Sequence, residues 1–177
     1  MNLYLKSNDL FAGAEWDSFF LQYGRPVVVA DNLRNPENMG ALIRLADNAG
    51  ASEVILLSDN KPVNLQRMKR VAASSCHNIP WQFVSPGAWL DQLPANTNLI
   101  AIETTSASKD IFETALPDHP VFVVGNEVNG ISQAVLDRAS VFVHIPVPGP
   151  TRSLNVTHAA AIAMFEWIRQ MRLKTTP

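Results

Sequence analysis

Three clusters of polar residues interrupt an otherwise apolar chain, and each holds groups able to bind or orient a reacting molecule. The first is Asn35-Pro36-Glu37-Asn38-Met39-Gly40, followed by Arg44. A guanidinium at position 44 offers a planar fork of donors suited to a phosphate or to a neighbouring subunit. The simpler reading of Arg44 is a solvated arginine on the polar face of a helix, beside Asn48. The second cluster is Gly125-Asn126-Glu127-Val128-Asn129-Gly130. Its glycines let main-chain groups approach a ligand closely, and Glu127 can serve as hydrogen-bond acceptor, charge partner or base. The competing reading is a plain strand-to-helix loop with Ser132 as helix cap. The third cluster runs from Ile145-Pro146-Val147-Pro148-Gly149-Pro150 through Thr151-Arg152-Ser153-Leu154-Asn155. Proline and glycine stiffen it. Ser153 and Asn155 fall where a helix begins, and free amides there favour anionic or polar groups. Capping by Ser153 is compatible with ligand binding.

Other common signatures are missing. The glycines form neither G-x-G-x-x-G nor G-x-x-x-x-G-K-[ST], and no G-x-S-x-G is present. The usual dinucleotide, P-loop and α/β-hydrolase sites are therefore not indicated. His77, His119, His144 and His158 lack ligand spacing, so no metal site is expected. The single Cys76 excludes an intrachain disulfide and fits a reducing compartment.

The elements that must position these clusters follow from hydrophobic patterning. Strands are expected at Pro26–Ala30, Glu53–Leu57, Trp81–Val84, Asn98–Ile102, His119–Val124 and Val141–Ile145. Between them lie helical patterns. The strongest follows the first cluster, with Met39, Leu42, Ile43, Leu45, Ala46 and Ala49 on one arc. Asn38 is its expected N-cap and Gly50 its expected C-cap. Shorter helices are expected at Asp9–Tyr23, Asn64–Ala73, Ala88–Leu93 and Gln133–Arg138, and a long one from Ser153 or Asn155 to about Arg172. Strands alternating with helices predict an α/β domain with a largely parallel sheet covered on both faces.

The length of 177 residues suits one domain. A net charge of -2 means that any nucleic-acid contact needs a local basic face. No apolar run reaches the ~18 residues of a membrane span. Asp9, Glu15 and Asp17 break up any signal-peptide core, so a cytoplasmic protein without membrane attachment is expected.

Taken in order, the three clusters resemble motifs 1, 2 and 3 of the SpoU/TrmH family of RNA 2'-O-ribose methyltransferases. Motif 1 corresponds to Asn35 through Arg44, motif 2 to Val124-Gly125-Asn126-Glu127 through Gly130, and motif 3 to Ile145-Pro146 through Gly149 with Ser153-Leu154-Asn155-Val156. The likeness runs from about Val27 to Ile168. It implies a single domain over 1–177, with a motif-bearing core at about 25–170 and an extension at 1–24. That extension is too short for the separate N-terminal RNA-binding domain of some relatives.

The resemblance further implies a mostly parallel sheet flanked by helices, with the C-terminal segment threaded as a trefoil knot. Knots are nearly absent from protein folds in general, so this expectation comes from the family alone. It implies S-adenosylmethionine as cofactor, tRNA or rRNA as substrate, and a homodimer with the active site near the subunit boundary. By position, the catalytic set is Asn38, Arg44, Glu127, Ser153 and Asn155. Cofactor contacts fall on Gly125, Ile145 and Leu154, and more loosely on Thr104. RNA contacts fall on Arg34, Arg44 and Arg152, and no metal is implied. Val147 stands where a methionine is often found, Pro148 and Pro150 make the motif 3 loop unusually rigid, and Thr157-His158 replace small or apolar residues.

Under this reading a ribose 2'-hydroxyl displaces the cofactor's methyl group. Arg44 is better suited to clamping phosphate than to acting as base, because a guanidinium keeps its proton. Glu127 would order the cofactor loop or hold Asn38 and Arg44. Arg67, Lys69 and Arg70 form a second basic group, read either as an RNA contact or as a solvated helix face. Trp81 and Trp89 could stack bases or belong to the core. The residues of the last helix, Ala159-Ala160-Ala161, Ala163, Met164, Phe165, Trp167 and Ile168, could build a subunit interface or pack on their own sheet. The alternatives are a non-catalytic RNA-binding module on the same fold, or a different S-adenosylmethionine-dependent or nucleotide-binding α/β protein acting on a small molecule.

Overall fold

Short β-branched runs build the centre of the molecule. The computed structural model describes residues 16–60 and 64–175, together with Ser7 and Phe11. Its strands are β1 (Val27–Asp31), β2 (Glu53–Leu57), β3 (Trp81–Val84), β4 (Asn98–Ile102), β5 (Lys109–Asp110), β6 (Pro120–Val124) and β7 (Val141–His144). They form one sheet in the order β3-β2-β1-β6-β4-β7-β5. Every pairing is parallel. Side chains alternate between two cores, as the pleat requires. Val28, Ala30, Ile100, Phe122 and Val124 face one; Val29, Leu99, Ala101 and Val123 face the other.

The helices are α1 (Trp16–Tyr23), α2 (Pro36–Asn48), α3 (Leu65–Ala72), α4 (Ser75–Asn78), α5 (Pro86–Gln92), α6 (Gln133–Leu136) and α7 (Val156–Thr175). The strand expectations hold to within a residue or so. The count of six does not, because β5 has two residues and no periodicity to betray it. For the same reason α4, with four residues, was not anticipated. Of the expected Asp9–Tyr23 helix, the part before Trp16 lies almost wholly outside the described residues. From α1, Phe19, Phe20 and Tyr23 enter the core, and Phe19 meets the Trp167 ring edge-on at 5.8 Å.

Helix capping corrects three expectations. Asn35, not Asn38, caps α2: its side chain accepts from the Glu37 nitrogen at 2.8 Å, and Pro36 occupies the first helical position, where a missing N–H costs nothing. Ala49, not Gly50, is the C-cap; Gly50 follows it at φ 72°. Asn155, not Ser153, caps α7, accepting from the Thr157 nitrogen at 2.8 Å. Ser132 occupies the N-cap position of α6 but makes no side-chain cap.

Strand β7 lies between β4 and β5, so the chain from 103 to 119 arches over it. Helix α7 closes behind that arch. The Trp167 indole donates to the Pro117 carbonyl at 2.9 Å. The Gln170 amide donates to the Thr114 carbonyl at 3.0 Å and accepts from the Leu116 nitrogen at 2.9 Å. Glu166 orients that amide, accepting from Gln170 at 2.8 Å and from Arg169 at 2.7 Å. Its carboxyl lies below the ordinary value because Arg169 bonds it, against the opposing effect of burial. Ala160, Ala163, Met164, Trp167 and Ile168 are all buried within the chain, so most of this helix packs on its own sheet; Phe165 is exposed. Trp167→Ala is expected to lower the unfolding free energy by ~3–5 kcal/mol, measured by denaturant titration. A loss near zero would show that the arch is not fastened by this residue.

Candidate active site

The carboxyl ends of β6, β4 and β7 open into a cavity of about 490 Å³. This is the edge of a parallel sheet where ligands usually bind, and the size suits a small ligand. Thr104, Gly125, Ile145 and Leu154, the expected cofactor residues, all line it, as do Glu127, Arg152, Ser153 and Asn155. Ile102, Val124 and Val156 add apolar wall.

One hydrogen-bonded chain ties the three motifs together at the mouth. The Asn38 amide donates to Glu127 Oε1 at 2.8 Å. Asn155 Nδ2 donates in turn to Asn38 Oδ1 at 3.1 Å. Asn155 Oδ1 accepts from the Thr157 nitrogen and, at 2.6 Å, from its hydroxyl. The Glu127 carboxylate also accepts from the main-chain nitrogens of Arg34 and Asn35, at 3.3 and 3.4 Å. Because Asn38 sits in the first turn of α2 rather than capping it, its side chain is free to make this link.

Burial pushes the Glu127 carboxyl up. Hydrogen bonds from Asn38 and from the main-chain nitrogens of Glu127, Arg34 and Asn35 outweigh it and hold the carboxyl below its ordinary 4.5. A depressed carboxyl contributes stability that is fully present above its unfolded value and lost as pH falls through the lower folded one. Glu127→Gln is therefore expected to be less stable than wild type at neutral pH, with the gap closing below 4.5. Denaturant unfolding from about pH 7 to about pH 3 tests this, and a pH-independent gap contradicts it.

Arg44 and Arg34 stand apart from this cavity. Arg44 is exposed on α2, and its guanidinium makes no hydrogen bond or ion pair among the described residues. Glu127 therefore holds Asn38 but not Arg44. Arg152 donates to the Val147 carbonyl at 2.9 Å, which braces the proline-rich loop. Of the second basic group, Arg67 is paired with Glu37 at 2.6 Å and Lys69 lies over the Trp81 ring, while Arg70 is exposed. Trp89 is buried in the core and offers no stacking face.

The sequence reading assigned no role to three acceptors that shape the site. Glu103 accepts from the nitrogens of Thr104 and Ile131, both at 3.0 Å, and so spans two walls of the cavity. Fully buried Asp31 accepts from the Ser132 nitrogen at 2.7 Å. Asn126 donates to the Asn32 carbonyl at 2.6 Å and accepts from the nitrogens of Val128 and Asn129. An acid at the end of an apolar strand was the available signal for Asp31 and Glu103.

A parallel sheet with a cavity at its carboxyl edge is the arrangement of an α/β protein that binds a small molecule. The chain belongs to the SpoU rRNA methylase family, which it matches over residues 25–165. The family's fold is the knotted one. The 23S rRNA (guanosine-2'-O-)-methyltransferase RlmB of Blochmanniella floridana is 32% identical over 147 residues, which are 82% of this chain and 58% of that protein. The chain spans about three fifths of the length of the curated relatives it matches. The SpoU methyltransferase AviRb of Streptomyces viridochromogenes superposes with a TM-score of 0.76 at 27% identity, over 85% of this chain and 61% of that one. AviRb has also been solved in complex with AdoMet. A structure bearing on 2-OH methylation of C/U34 on tRNA aligns at a TM-score of 0.73 and 25% identity, over 84% of this chain and 91% of that one.

Proposed function

We propose that this chain transfers a methyl group from S-adenosylmethionine to a ribose 2'-hydroxyl of rRNA or tRNA, in the cytoplasm and as a homodimer. The observation that carries the reading is the Glu127–Asn38–Asn155 chain, which joins all three motifs at the mouth of a cofactor-sized cavity. The residues present fit the cofactor. Ile102, Ile145 and Leu154 would offer apolar surface to a flat ring, and Glu103 and Glu127 would offer carboxylates to a cationic group. Bound there, S-adenosylmethionine would supply an electrophilic methyl to the ribose 2'-hydroxyl, with S-adenosylhomocysteine as the leaving group and the hydroxyl proton released to water.

The chain's own residues position and charge-stabilise. Gly125 and Thr104 present main chain to the cofactor, and Leu154 covers it. Asn38, Ser153 and Asn155 orient the ribose, while Glu127 keeps Asn38 in place. Such positioning contributes ~7–11 kcal/mol in favourable cases. Arg44, exposed and without a partner among the described residues, and Arg34 clamp the RNA phosphates, with Arg152 at the loop rim. Arg44 lies off its own chain's cavity, which supports a site completed near a subunit boundary. Exposed Phe165 and Leu173 on α7 supply apolar surface for that boundary. Residues 25–165 read as one catalytic unit.

Calorimetry with S-adenosylmethionine, run with a solution mass, should give one site per subunit of a dimer. Labelled methyl should then pass to rRNA or tRNA and appear in a 2'-O-methylnucleoside after digestion. RNA binding with no label in either class of RNA would instead indicate a non-catalytic module.

A further inference from the structure

A second cavity, of about 500 Å³, adjoins the first at the carboxyl ends of β2, β1 and β6. Both are lined by Asn126 and Gly130, so the loop after β6 forms their shared wall. Leu33 and Met39 give the second cavity an apolar floor, and both are buried in the chain. Asn32, Arg34, Asn60 and Asn129 line it as well. Asn32 donates to Asp31 at 2.8 Å, and the other Asp31 oxygen accepts from Ser132, so both oxygens of that acid are already engaged. Asn60 and Asn129 spend main-chain groups on local turns. Their side-chain amides make no hydrogen bond among the described residues, and neither does the guanidinium of Arg34.

We propose that this cavity receives the base of the nucleotide whose ribose is methylated, with Asn60 and Asn129 reading the base edge and Arg34 taking the adjoining phosphate. The inference rests on the methyltransferase reading above. A carboxamide presents a donor and an acceptor side by side, the pattern that pairs with the edge of a nucleobase. An unstacked base also needs an apolar surface for its ring face, and a methionine thioether suits an aromatic ring. A base seated on Leu33 and Met39 leaves its ribose over the Asn126–Gly130 wall, between this cavity and the first. The hydroxyl then lies on the side where Asn38 and Glu127 meet. Nucleotide choice is thereby separated from cofactor binding: one loop faces both, but the reading amides face one cavity.

The test is titration of the four ribonucleoside 5'-monophosphates, one at a time, into the 15N-labelled full chain with S-adenosylhomocysteine present. At least one should bind and shift the main-chain signals of Asn32, Ser58, Asn60 and Asn129. Asn60→Ala and Asn129→Ala should each weaken that binding roughly tenfold, the loss of one hydrogen bond. Asn60→Asp, which replaces a donor by an acceptor, should reorder the preference among the four. Both asparagines are exposed, so these variants should fold as wild type does. Calorimetry should find the affinity for S-adenosylhomocysteine unchanged in Asn60→Ala. The proposal is overturned if none of the four nucleotides perturbs this cavity, or if the variants bind all four as wild type does. Nucleotide binding here without methyl transfer to rRNA or tRNA sinks the enzymatic reading and supports recognition at this site. Methyl transfer by a protein whose second cavity binds none of the four sinks this inference alone.

Discussion

Replacing Arg44 by alanine is expected to lower methyl transfer roughly 100- to 1,000-fold, the usual cost of removing one charged or hydrogen-bonding group that acts in the transition state. Affinity for S-adenosylmethionine should stay within about twofold, because Arg44 does not line the cofactor cavity. Stability should change by less than ~0.5 kcal/mol, because the side chain is exposed and has no partner within the described residues to lose. Arg44→Lys keeps the charge but not the planar fork, and should recover only part of the rate. The measurements are single-turnover transfer of labelled methyl and calorimetry on the same preparation. Full activity in Arg44→Ala would remove this residue from the mechanism. A parallel loss of cofactor affinity would move it from RNA to the cofactor site.

Gly125→Ala is expected to abolish cofactor binding, with affinity falling at least ~100-fold. A Cβ at this position would collide with the Gly130 carbonyl carbon and the Ile131 nitrogen, both main chain and neither able to swing aside. The loop cannot yield locally, because Asn126 and Gly130 bond each other reciprocally, each nitrogen donating to the other's carbonyl at 2.9 Å. The Ile131 nitrogen is held in addition by Glu103 at 3.0 Å. A shift here moves the wall shared by both cavities. Overpacking of this kind costs ~1–3 kcal/mol, so the variant should remain folded while failing to bind. Calorimetry with S-adenosylmethionine and a thermal melt distinguish the two effects. Unaltered binding would mean that the loop relaxes freely and that its closeness is not part of the cofactor site.

Much of this was legible in the chain itself. β2, β3 and β4 are apolar runs bounded by turn residues, and they lie where the pattern put them. Arg44 falls on the polar face of α2 by helical spacing, and it is exposed. The residues expected at a cofactor, Thr104, Gly125, Ile145 and Leu154, follow strand ends or precede the last helix, and they line one cavity together. Where the reading failed, the competing signals were local and nearly equal. Asn35 and Asn38 are equally good cap residues, and Pro36 at the first helical position decides between them. Asn155 likewise displaced Ser153.

What the sequence determined by itself was the class of fold and the positions of the long strands and helices, while the candidate site residues came from the likeness of three loops to the family's motifs. The fold class and the element positions rest on burial periodicity, turn chemistry and residue type, which act over a few residues. The tertiary structure alone decided who bonds to whom. Glu127 meets Asn38 across 89 residues because β6 lies beside β1 in the sheet, and Asn38 meets Asn155 across 117 because α7 packs against α2. Strand order also places Asn60, Asn129 and Arg34 around one cavity and threads β7 between β4 and β5. No local pattern encodes strand order: it is settled by which packing of the whole chain buries both faces of the sheet and leaves the fewest polar groups unpaired.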